Sequence, residues 1–508
     1  MIITGSYPNK LRMEDKKNML NKDGNSPKIK KVVLMQPNYS WFGKRSWRIY
    51  PYALGILNAC IKNSFKTELI DPNLENLNDQ EVIDSIRESN PDAICISSAS
   101  TEYIKLIEHT INLIKTALPK VVVIAGGVVS SVALKAFTKI RGIDYWMMGE
   151  GEYALPKLLE ELNKPQPNLS NLNGLAYYEN GELKINKQGD YISNLDLIPF
   201  ADYGNLSFND YGYEKIKYAQ GSLTRKFPYA VTITSRGCPY NCIFCSGWRV
   251  SGKKVRMRSA ENVLKEIDLF YKNGIKEVIF LDDHFLFSRQ RAMDIMKGLI
   301  KRKYNDFVWK CANLTVFLLD QELIDLMKES GCYQMTVSIE SGNQDVLTKI
   351  IKKPINLEKI PNILKMVKEC GIEIIANFII GFPGETWDQI RDTFSYAEML
   401  DIDLVNFHIA TPLPNTELME ICIKEGYLPK NANEDECSGY TKGIISSDEF
   451  TPQELQILRA FEWDRINFIT KERKEIIARI QGISLVELEK WRKDTRRQLG
   501  VNVLGNKS

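Results

Sequence analysis

Short apolar runs alternate with helix-length segments through the first third of the chain. The runs have the length and the Val and Ile content of buried parallel strands. They are KVVLM (31–35), TELID (67–71), DAICIS (92–97), VVVIAGG (121–127) and DYWMMG (144–149). This alternation predicts an α/β domain with a doubly wound, Rossmann-like parallel sheet over residues 29–165.

A second set of alternating runs follows and extends to about residue 414. Its strands are YAVTITS (229–235), EVIFLDD (277–283), FVWKCAN (307–313), QMTVSIESG (334–342), IEIIANFIIGFPGE (372–385) and LVNFHIATPLP (404–414). Helical patterns lie between them at 259–273, 288–303, 356–370 and 387–400. Six strand-helix units with polar residues at the strand ends predict a partial (β/α)6, TIM-like barrel over residues 229–450.

The remaining segments are less periodic. We expect residues 1–28 to be a disordered tail and residues 166–228 to be a hairpin and linker, because NGLAYYENGELKIN places apolar runs around an Asn-Gly turn signal. Residues 451–508 have helical spacing, are rich in Lys, Arg and Glu, and end in the basic stretch KWRKDTRRQLG. They predict a helical C-terminal region with a solvated face.

Composition narrows the choice of partners. The chain has 508 residues, 44% of them hydrophobic, and 67 basic against 64 acidic residues give a net charge of only +3. That balance is too small to argue, by charge alone, for a nucleic-acid or membrane partner. The N-terminus lacks an apolar signal region and no run of 18 apolar residues occurs, so we expect no membrane span and a cytoplasmic location. In that reducing compartment, ten cysteines favour free thiols and metal ligands over disulfides.

Three cysteines are closely spaced in SRGCPYNCIFCSGW (235–248), directly after the first strand of the second block. Three thiolates on a 4Fe-4S cluster leave one iron with an open position that can bind substrate, whereas four would saturate the site. Zinc is the rival interpretation, but its fourth ligand would have to come from elsewhere and the chain has only three histidines. Unrelated core thiols are the remaining alternative. The predicted cluster ligands are Cys238, Cys242 and Cys245.

This Cys-x3-Cys-x2-Cys loop, with the aromatic Phe244 before its third cysteine, resembles the radical S-adenosylmethionine (SAM) superfamily over about residues 229–420. Four later loops match by position: FLDDHF (280–285), SIESG (338–342), NFIIGFPGET (377–386) and ATPLPNTEL (410–418). The resemblance implies that SAM chelates the open iron through its amine and carboxylate. One electron from the cluster then cleaves the sulfonium, and the 5′-deoxyadenosyl radical takes hydrogen from a substrate.

The resemblance also implies the SAM contacts. Phe244 of the cluster loop is one of them, Glu340 and Ser341 would contact the ribose or methionine part, and Ile380 and Gly381 would flank the adenine. The superfamily's Gly-Gly-Glu after the second strand is replaced by Asp282 and Asp283. One of these aspartates would hold the SAM ammonium; the alternative is that they cap the following helix.

Gly- and Ser-bearing loops follow the strands of the first block: QPNYSW, SSAST, GGVVSS and GEGE. Open parallel sheets bind ligands at the carboxyl ends of their strands, so these loops predict a broad, flat ligand, with ordinary tight turns as the alternative. The block resembles the cobalamin-binding arm of the superfamily. The implied cobalamin contacts are Pro37, Tyr39, Ser97, Ser98, Gly126, Gly127, Gly149, Glu150, Gly151 and Glu152.

One histidine lies in this block, His109 in KLIEHTINL. It lacks the Asp-x-His-x-x-Gly context in which many cobalamin domains supply a ligand to cobalt from below. We therefore expect His109 to be a helix-surface or core residue, and a bound cobalamin to have no histidine on its lower face.

The two resemblances together imply a cobalamin-dependent radical SAM methyltransferase. One SAM would methylate the cobalamin and a second would generate the radical that activates a carbon of a small-molecule or peptide substrate, with electrons from an external donor of flavodoxin or ferredoxin type. Cyclisation or oxidation without methyl transfer is the alternative within this architecture. A methylthiotransferase acting on tRNA would need three further N-terminal cysteines, whereas only Cys60 and Cys95 precede Cys238. A redox or light sensor would have no use for the SAM loops.

Overall fold

The computed structural model describes residues 28–39, 50–74, 76–207, 224–429 and 443–504. The predicted N-terminal tail therefore lies, apart from residue 28, outside the described residues. The same holds for residues 208–223 of the predicted linker.

The first sheet contains seven strands. They are β1 (Lys31–Met35), β2 (Lys66–Ile70), β3 (Ala93–Ser98), β4 (Val122–Gly127), β5 (Tyr145–Met147), β6 (Leu175–Glu179) and β7 (Glu182–Ile185). Their spatial order is β2-β1-β3-β4-β5-β6-β7; the first five are parallel, and β6 and β7 pair in antiparallel fashion. The predicted hairpin is therefore present, and it extends this sheet instead of standing apart from it.

Helices cover both faces of the first sheet. They are α1 (Tyr52–Ile61), α2 (Asp79–Ser89), α3 (Ile104–Ala117), α4 (Val128–Val132), α5 (Leu134–Phe137) and α6 (Gly151–Leu162), with short 3-10 turns at Thr101–Tyr103, Leu169–Asn171 and Leu195–Leu197. Successive side chains of a strand point to opposite faces. In β1, Val33 and Met35 join the core under α2 and α3, whereas Val32 and Leu34 join the core under α1 and α6. The predicted doubly wound sheet is confirmed.

The second sheet contains six parallel strands in chain order. They are β8 (Tyr229–Thr232), β11 (Glu277–Phe280), β12 (Val308–Leu314), β13 (Cys332–Glu340), β14 (Glu373–Ile380) and β15 (Leu404–Ile409); a separate antiparallel pair consists of β9 (Ser235–Arg236) and β10 (Arg256–Met257). All six predicted strands are present. Because β8 and β15 are the two ends of the sheet and do not pair, the barrel is partial, as predicted.

The connecting helices of the second sheet are α7 (Gly247–Ser251), α8 (Ala260–Lys272), α9 (Arg289–Arg302), α10 (Gln321–Glu329), α11 (Ile360–Glu369), α12 (Trp387–Met399) and α13 (Glu417–Lys424). Short 3-10 turns lie at Val316–Leu318 and Leu357–Lys359, and a π-helical segment lies at Val346–Ile351. Right-handed crossovers between strands in chain order place the helices on one face. Phe378 and Ile380 join the large core on that face, whereas Asn377, directly before Phe378, is only half-buried.

Three helices follow the sheet: α14 (Pro452–Asn467), α15 (Lys471–Gln481) and α16 (Leu485–Leu504). The predicted helical C-terminal region is confirmed. Asn467 pairs with the free edge of β15, since its amide oxygen accepts from the Val405 N–H at 2.8 Å and its amide nitrogen donates to the Val405 carbonyl at 2.9 Å. Edge strands left open invite association, so α14 protects this edge. None of the described helices combines the length and the apolar character needed to cross a membrane.

A buried aromatic cluster joins the two sheets. Tyr50 and Tyr203, from the part of the chain before the second sheet, pack with Tyr229, Val231 and Ile279 of β8 and β11. The Tyr50 and Tyr203 rings are in edge contact, with 4.6 Å between centroids. Because this contact is apolar and buried, it fixes how the two sheets face each other.

Candidate active site

The cysteine loop is closed at its base by β9 and β10. Gly237 precedes the first cysteine with a φ of 98°, and a side chain there would collide with the carbonyl oxygen of Lys254. Further along, the Ile243 N–H donates to the carbonyl of Ile351 at 3.2 Å, and the Ile243 carbonyl accepts from the Leu418 N–H at 2.9 Å. Backbone contacts from three separate parts of the barrel thus hold the loop at the carboxyl ends of the strands.

The three cysteines of this loop are half-buried. Burial raises the pKa of all three thiols, to about 12 for Cys242. Thiolates would form here when iron supplies compensating positive charge. Among the described residues, no three His, Cys, Asp or Glu side chains are arranged to hold a single metal ion. A zinc ion needs its thiolates about 2.3 Å from one point, whereas a cluster binds them at separate irons, so this donor set fits the cluster.

Glu340, a predicted SAM contact, ends β13 with a φ of 75°. Such a conformation is costly for a residue other than glycine and is typical of functional sites. The Lys353 ammonium binds the Glu340 carboxylate at 2.7 Å and the Ser338 carbonyl at 2.7 Å. The positive charge of Lys353 also acts to lower the pKa of the cysteine thiols. The sequence analysis missed Lys353, because nothing in its local pattern distinguishes it from a surface lysine.

Ser341 is also near this strand end, but its side chain is fully buried. Its hydroxyl lies 3.1 Å from the Thr393 hydroxyl and accepts from the Asn343 N–H at 3.1 Å. The Ser341 side chain is therefore committed to holding the loop against α12. Its role as a SAM contact stays a prediction.

The two aspartates after β11 have different environments. Asp282 is buried and accepts from the Thr234 N–H at 2.7 Å, from the Thr234 hydroxyl at 2.5 Å and from the Ser235 hydroxyl at 2.8 Å. Asp283 is half-buried and accepts from the Gly237 N–H at 2.8 Å, which places it beside the cysteine loop. The alternative role as helix caps does not hold, because Ser288 caps α9. Of the two, Asp283 is the one beside the cysteine loop; its contact with SAM stays a prediction.

The fifth-strand loop carries the predicted adenine contacts. The side chain of Ile380 is buried in the core under the helices, so it does not point toward the barrel interior. Gly381 has a φ of 85°, and Leu455 of α14 occupies the space where a side chain would be. The buried Glu385 accepts from the N–H groups of Gly381 (2.6 Å) and Phe382 (3.0 Å). Phe244 packs on Phe382, with 5.9 Å between ring centroids.

At the carboxyl edge of the first sheet, Asn73 holds the loop after β1. Its amide donates to the Pro37 carbonyl at 2.9 Å and accepts from the Tyr39 N–H at 2.7 Å. The Tyr39 ring packs on Tyr103, with 4.6 Å between centroids, and burial raises the Tyr39 pKa. The loops after β1 and β3 thereby meet where the strand order reverses, which is the expected place for a ligand. The sequence analysis did not single out Asn73.

The predicted pairs in β3 and β4 are in register, Ser97 with Gly126 and Ser98 with Gly127. The Ser98 hydroxyl donates to the Gly126 carbonyl and accepts from the Val129 N–H, so it holds the strand ends together. Gly127 has a φ of 96°. At Gly126 an added Cβ would have Met147 as its nearest neighbour, 3.9 Å away. This edge has room for a flat ligand and fits cobalamin.

The GEGE loop after β5 contacts the barrel. Arg236, two residues before Cys238, binds Glu150 at 2.9 Å and Glu152 at 2.6 Å, and Arg256 binds Glu150 at 2.8 Å. The side chains of all four are at least four-fifths buried. The carboxylates predicted to contact cobalamin are thus committed to the strands that flank the cysteine loop. Two glycines alternate with them: Gly149, whose N–H donates to the Ser131 hydroxyl at 2.9 Å, and Gly151, which begins α6.

The three histidines occupy different positions. His109 lies on α3 and contacts Asp79 of α2 at 2.9 Å, so it is a helix-surface residue, as expected. His408 lies in β15, with Nε2 at 3.5 Å from the Asn377 amide oxygen. His284 lies beside Cys238 at the barrel mouth. No histidine lies on the loops at the carboxyl edge of the first sheet, which the structure describes apart from residues 40–49.

Comparison with known proteins identifies the family. The model of the radical SAM superfamily matches residues 232–397, and that of the B12 binding domain matches residues 43–159. An uncharacterized methyltransferase of Pyrococcus horikoshii, PH0819, is 33% identical over 380 residues, which cover 74% of this chain and 79% of that protein. The chain belongs to the B12-binding radical SAM family.

One further relative and one solved structure are consistent with this family assignment. The cytidylyl-2-hydroxyethylphosphonate methyltransferase of Streptomyces wedmorensis is 28% identical over 82% of this chain and 86% of its own length. The cobalamin-dependent SAM radical enzyme OxsB, solved with aqua-cobalamin bound, has the same fold at a TM-score of 0.71 and 18% identity, covering 93% of this chain and 72% of OxsB. This B12-binding radical SAM protein is therefore an enzyme of the methyltransferase type, with a 4Fe-4S cluster, SAM and cobalamin as cofactors.

Proposed function

We propose that this B12-binding radical SAM enzyme methylates an unactivated carbon of a small-molecule or peptide substrate. The observation that carries the proposal is the buried ion-pair network of Arg236, Arg256, Glu150 and Glu152. It ties the GEGE loop of the first sheet directly to the strands that flank the cysteine loop. Because the two loop regions share one buried network, a substrate between them could reach both cofactors.

Three groups of this chain would position SAM and the cluster. When bound, the cluster supplies the electron that cleaves SAM, and cobalamin supplies the carrier for the methyl group. Cys238, Cys242 and Cys245 would bind the cluster. Asp283 would bind the SAM ammonium, since its carboxylate lies beside the cysteine loop. Lys353 would keep Glu340 in its strained conformation at the end of β13.

The inner face of β14 and β15 is the proposed substrate wall. Asn377 and Asn406 are cross-strand partners, and the Asn406 amide donates to the Asn377 amide oxygen at 3.2 Å. His408 lies two residues further toward the mouth on the same face. All three side chains are half-buried, whereas their neighbours Phe378 and Phe407 belong to the outer core. Barrel interiors that serve only as cores are filled with Val, Ile and Leu. These polar side chains would bind uncharged hydrogen-bonding groups of the substrate.

Reduction of the cluster requires an electron source. We assign this role to an external low-potential protein of flavodoxin or ferredoxin type. The chain's own contribution is to hold the cysteine loop at the barrel mouth and to enclose the reacting groups, which excludes water from the radical chemistry.

An anaerobic reaction with SAM deuterated in its methyl group tests the proposal. The reconstituted enzyme would be incubated with a reductant and extracts of the source organism, and the products would be analysed by mass spectrometry. We expect 5′-deoxyadenosine together with a new compound that carries the deuterium label. The Cys242→Ala variant, treated identically, should yield neither. Formation of 5′-deoxyadenosine with a product that is cyclised or oxidised but unlabelled would overturn methyl transfer.

A further inference from the structure

His284 is the histidine beside the cysteine loop. Its Nε2 lies 3.1 Å from the sulfur of Cys238, and the residue is only 6% exposed. The ring is held in place by edge contacts with Tyr240 and Phe287, at centroid distances of 5.2 Å and 6.1 Å. The imidazole therefore has a fixed orientation with one nitrogen directed at a predicted cluster ligand.

The second ring nitrogen has a different partner. Nδ1 of His284 lies 3.1 Å from the hydroxyl of Thr315, which follows β12. A thiolate that ligates iron can only accept a hydrogen bond, so Nε2 must carry a proton to bond with it. The hydroxyl of Thr315 can donate to an unprotonated Nδ1 and thereby favours the tautomer with its proton on Nε2. A protonated ring would also present an N–H at Nε2, so the hydrogen bond does not depend on the charge of the ring.

We propose that His284 donates an N–H···S hydrogen bond to the Cys238 ligand and thereby raises the reduction potential of the cluster, with Thr315 setting the tautomer. The inference rests on the cluster assignment of the proposed function. Reduction adds negative charge to the cluster and its sulfurs, and a hydrogen bond to a ligand sulfur stabilises that charge. The cluster would then accept an electron from its donor more easily. His284 is thus a positioning and tuning residue, and it binds neither substrate nor iron.

The test is an anaerobic redox titration of the reconstituted enzyme without SAM or substrate, followed by paramagnetic resonance of the reduced cluster. For His284→Phe we expect at least a tenfold less favourable reduction, which is a shift of about 59 mV to a more negative midpoint for a one-electron couple. Thr315→Val keeps the ring but loses the tautomer control, so its midpoint should lie between those of wild type and His284→Phe. His284→Gln offers an amide N–H and should recover part of the shift. The matched control His109→Phe should leave the midpoint unchanged.

Three outcomes separate this inference from its premise. Wild-type protein that binds no iron and sulfide would refute the cluster assignment itself. A cluster whose midpoint is the same in wild type, His284→Phe and Thr315→Val would overturn the inference and leave the cluster assignment intact. A strong nitrogen coupling in pulsed resonance that disappears in His284→Phe would identify His284 as an iron ligand, which also overturns the inference. If His284→Phe assembles no cluster, Thr315→Val, which retains the imidazole, still decides the result.

Discussion

The two parallel sheets of this enzyme differ in how they use their faces. The first sheet is doubly wound and buries apolar side chains on both faces, in separate cores under α2 and α3 and under α1 and α6. The second has its strands in chain order and buries one face under helices. Its inner face is apolar at Tyr229, Val231, Ile279, Ile375 and Leu404 but also carries half-buried polar side chains such as Ser338, Asn377 and Asn406. One sheet is thus a packed support whose ligand loops lie at its edge, and the other encloses a partly polar interior.

The same difference extends to the ends of the strands. The first sheet contributes backbone at its carboxyl edge, through Gly126 and Gly127 next to the hydroxyl of Ser98. The second contributes charged and sulfur-bearing side chains, including the cysteine loop, Asp283 and Lys353. A flat ligand lying on an edge needs close backbone approach, whereas a cluster and SAM need specific side-chain ligands.

The largest effect is expected for substitutions in the cysteine loop of the second sheet, compared with a cysteine substitution beside the first sheet. Alanine at Cys238, Cys242 or Cys245 should remove the brown absorbance of the cluster and abolish SAM cleavage, because each thiolate holds one iron. Cys60→Ala, on α1 beside the first sheet, is the matched control and should retain both. Iron and sulfide analysis with chromatographic detection of 5′-deoxyadenosine measures the outcome. Retention of a full cluster in all three variants would mean that these cysteines do not hold it. The proposed chemical difference between the two sheets would then be lost.

A second test compares the faces of the strands by urea unfolding. Phe378→Ala on the outer face should lower the free energy of unfolding by about 3–5 kcal/mol. Asn377→Ala, next to it on the inner face, should cost about 1 kcal/mol, because it removes only weak side-chain hydrogen bonds. In β1 of the first sheet, Leu34→Ala and Met35→Ala lie on opposite faces and should each cost about 2–5 kcal/mol.

Equal costs for Phe378→Ala and Asn377→Ala would mean that the inner face of the second sheet is an ordinary core. If Asn377→Ala also forms product more slowly while its cluster content is normal, this result would support substrate binding by the polar wall. A normal rate of product formation would count against that role.

A third test compares buried carboxylates in the loops at the carboxyl ends of the two sheets. Glu150 and Glu152 pair with arginines, whereas Glu385 is buried, its Oε1 has no hydrogen-bond partner among the described residues, and burial raises its pKa to about 7. Between about pH 4.5 and 7 the folded state keeps a proton that the unfolded chain releases, so the free energy of unfolding should fall as the pH rises through this window. Relative to Glu385→Gln, wild type should lose about 3 kcal/mol from pH 4.5 to pH 8. Parallel profiles for the two proteins would contradict a raised pKa.

The last test predicts no change in the spectrum of bound cobalamin when His109 is replaced. His109 bonds Asp79 on the helical surface of the first sheet, so His109→Ala should leave the paramagnetic resonance of bound Co(II) cobalamin unchanged and without nitrogen splitting from the protein. A nitrogen splitting lost in His109→Ala would overturn the proposed position of cobalamin. A splitting that survives the substitution would come from the cobalamin's own dimethylbenzimidazole and would overturn only the absence of a strong lower ligand.

The sequence by itself determined the fold class and the strands of both sheets, and it predicts the cluster ligands. The apolar runs with their separating helices define the strands of both sheets, because side-chain burial repeats with the period of each element. The three cysteines could also be singled out from the sequence, since they lie within one loop and their spacing is a local property. Because strands that alternate with helices run parallel, the loops that follow them lie at the carboxyl edges without any knowledge of contacts.

Only the tertiary structure decided what individual side chains at those edges do. Asp282 and Asp283 are adjacent and identical in type, yet one is buried against Thr234 and the other faces the cysteine loop. Glu150 lies in a loop predicted to contact cobalamin, but its partners are Arg236 and Arg256, both more than 80 residues away in the chain. Local pattern specifies which face of an element is buried. Which polar groups meet across two sheets depends on the packing of segments far apart in sequence, and for the same reason the contact of His284 with Cys238 had no signal in the sequence.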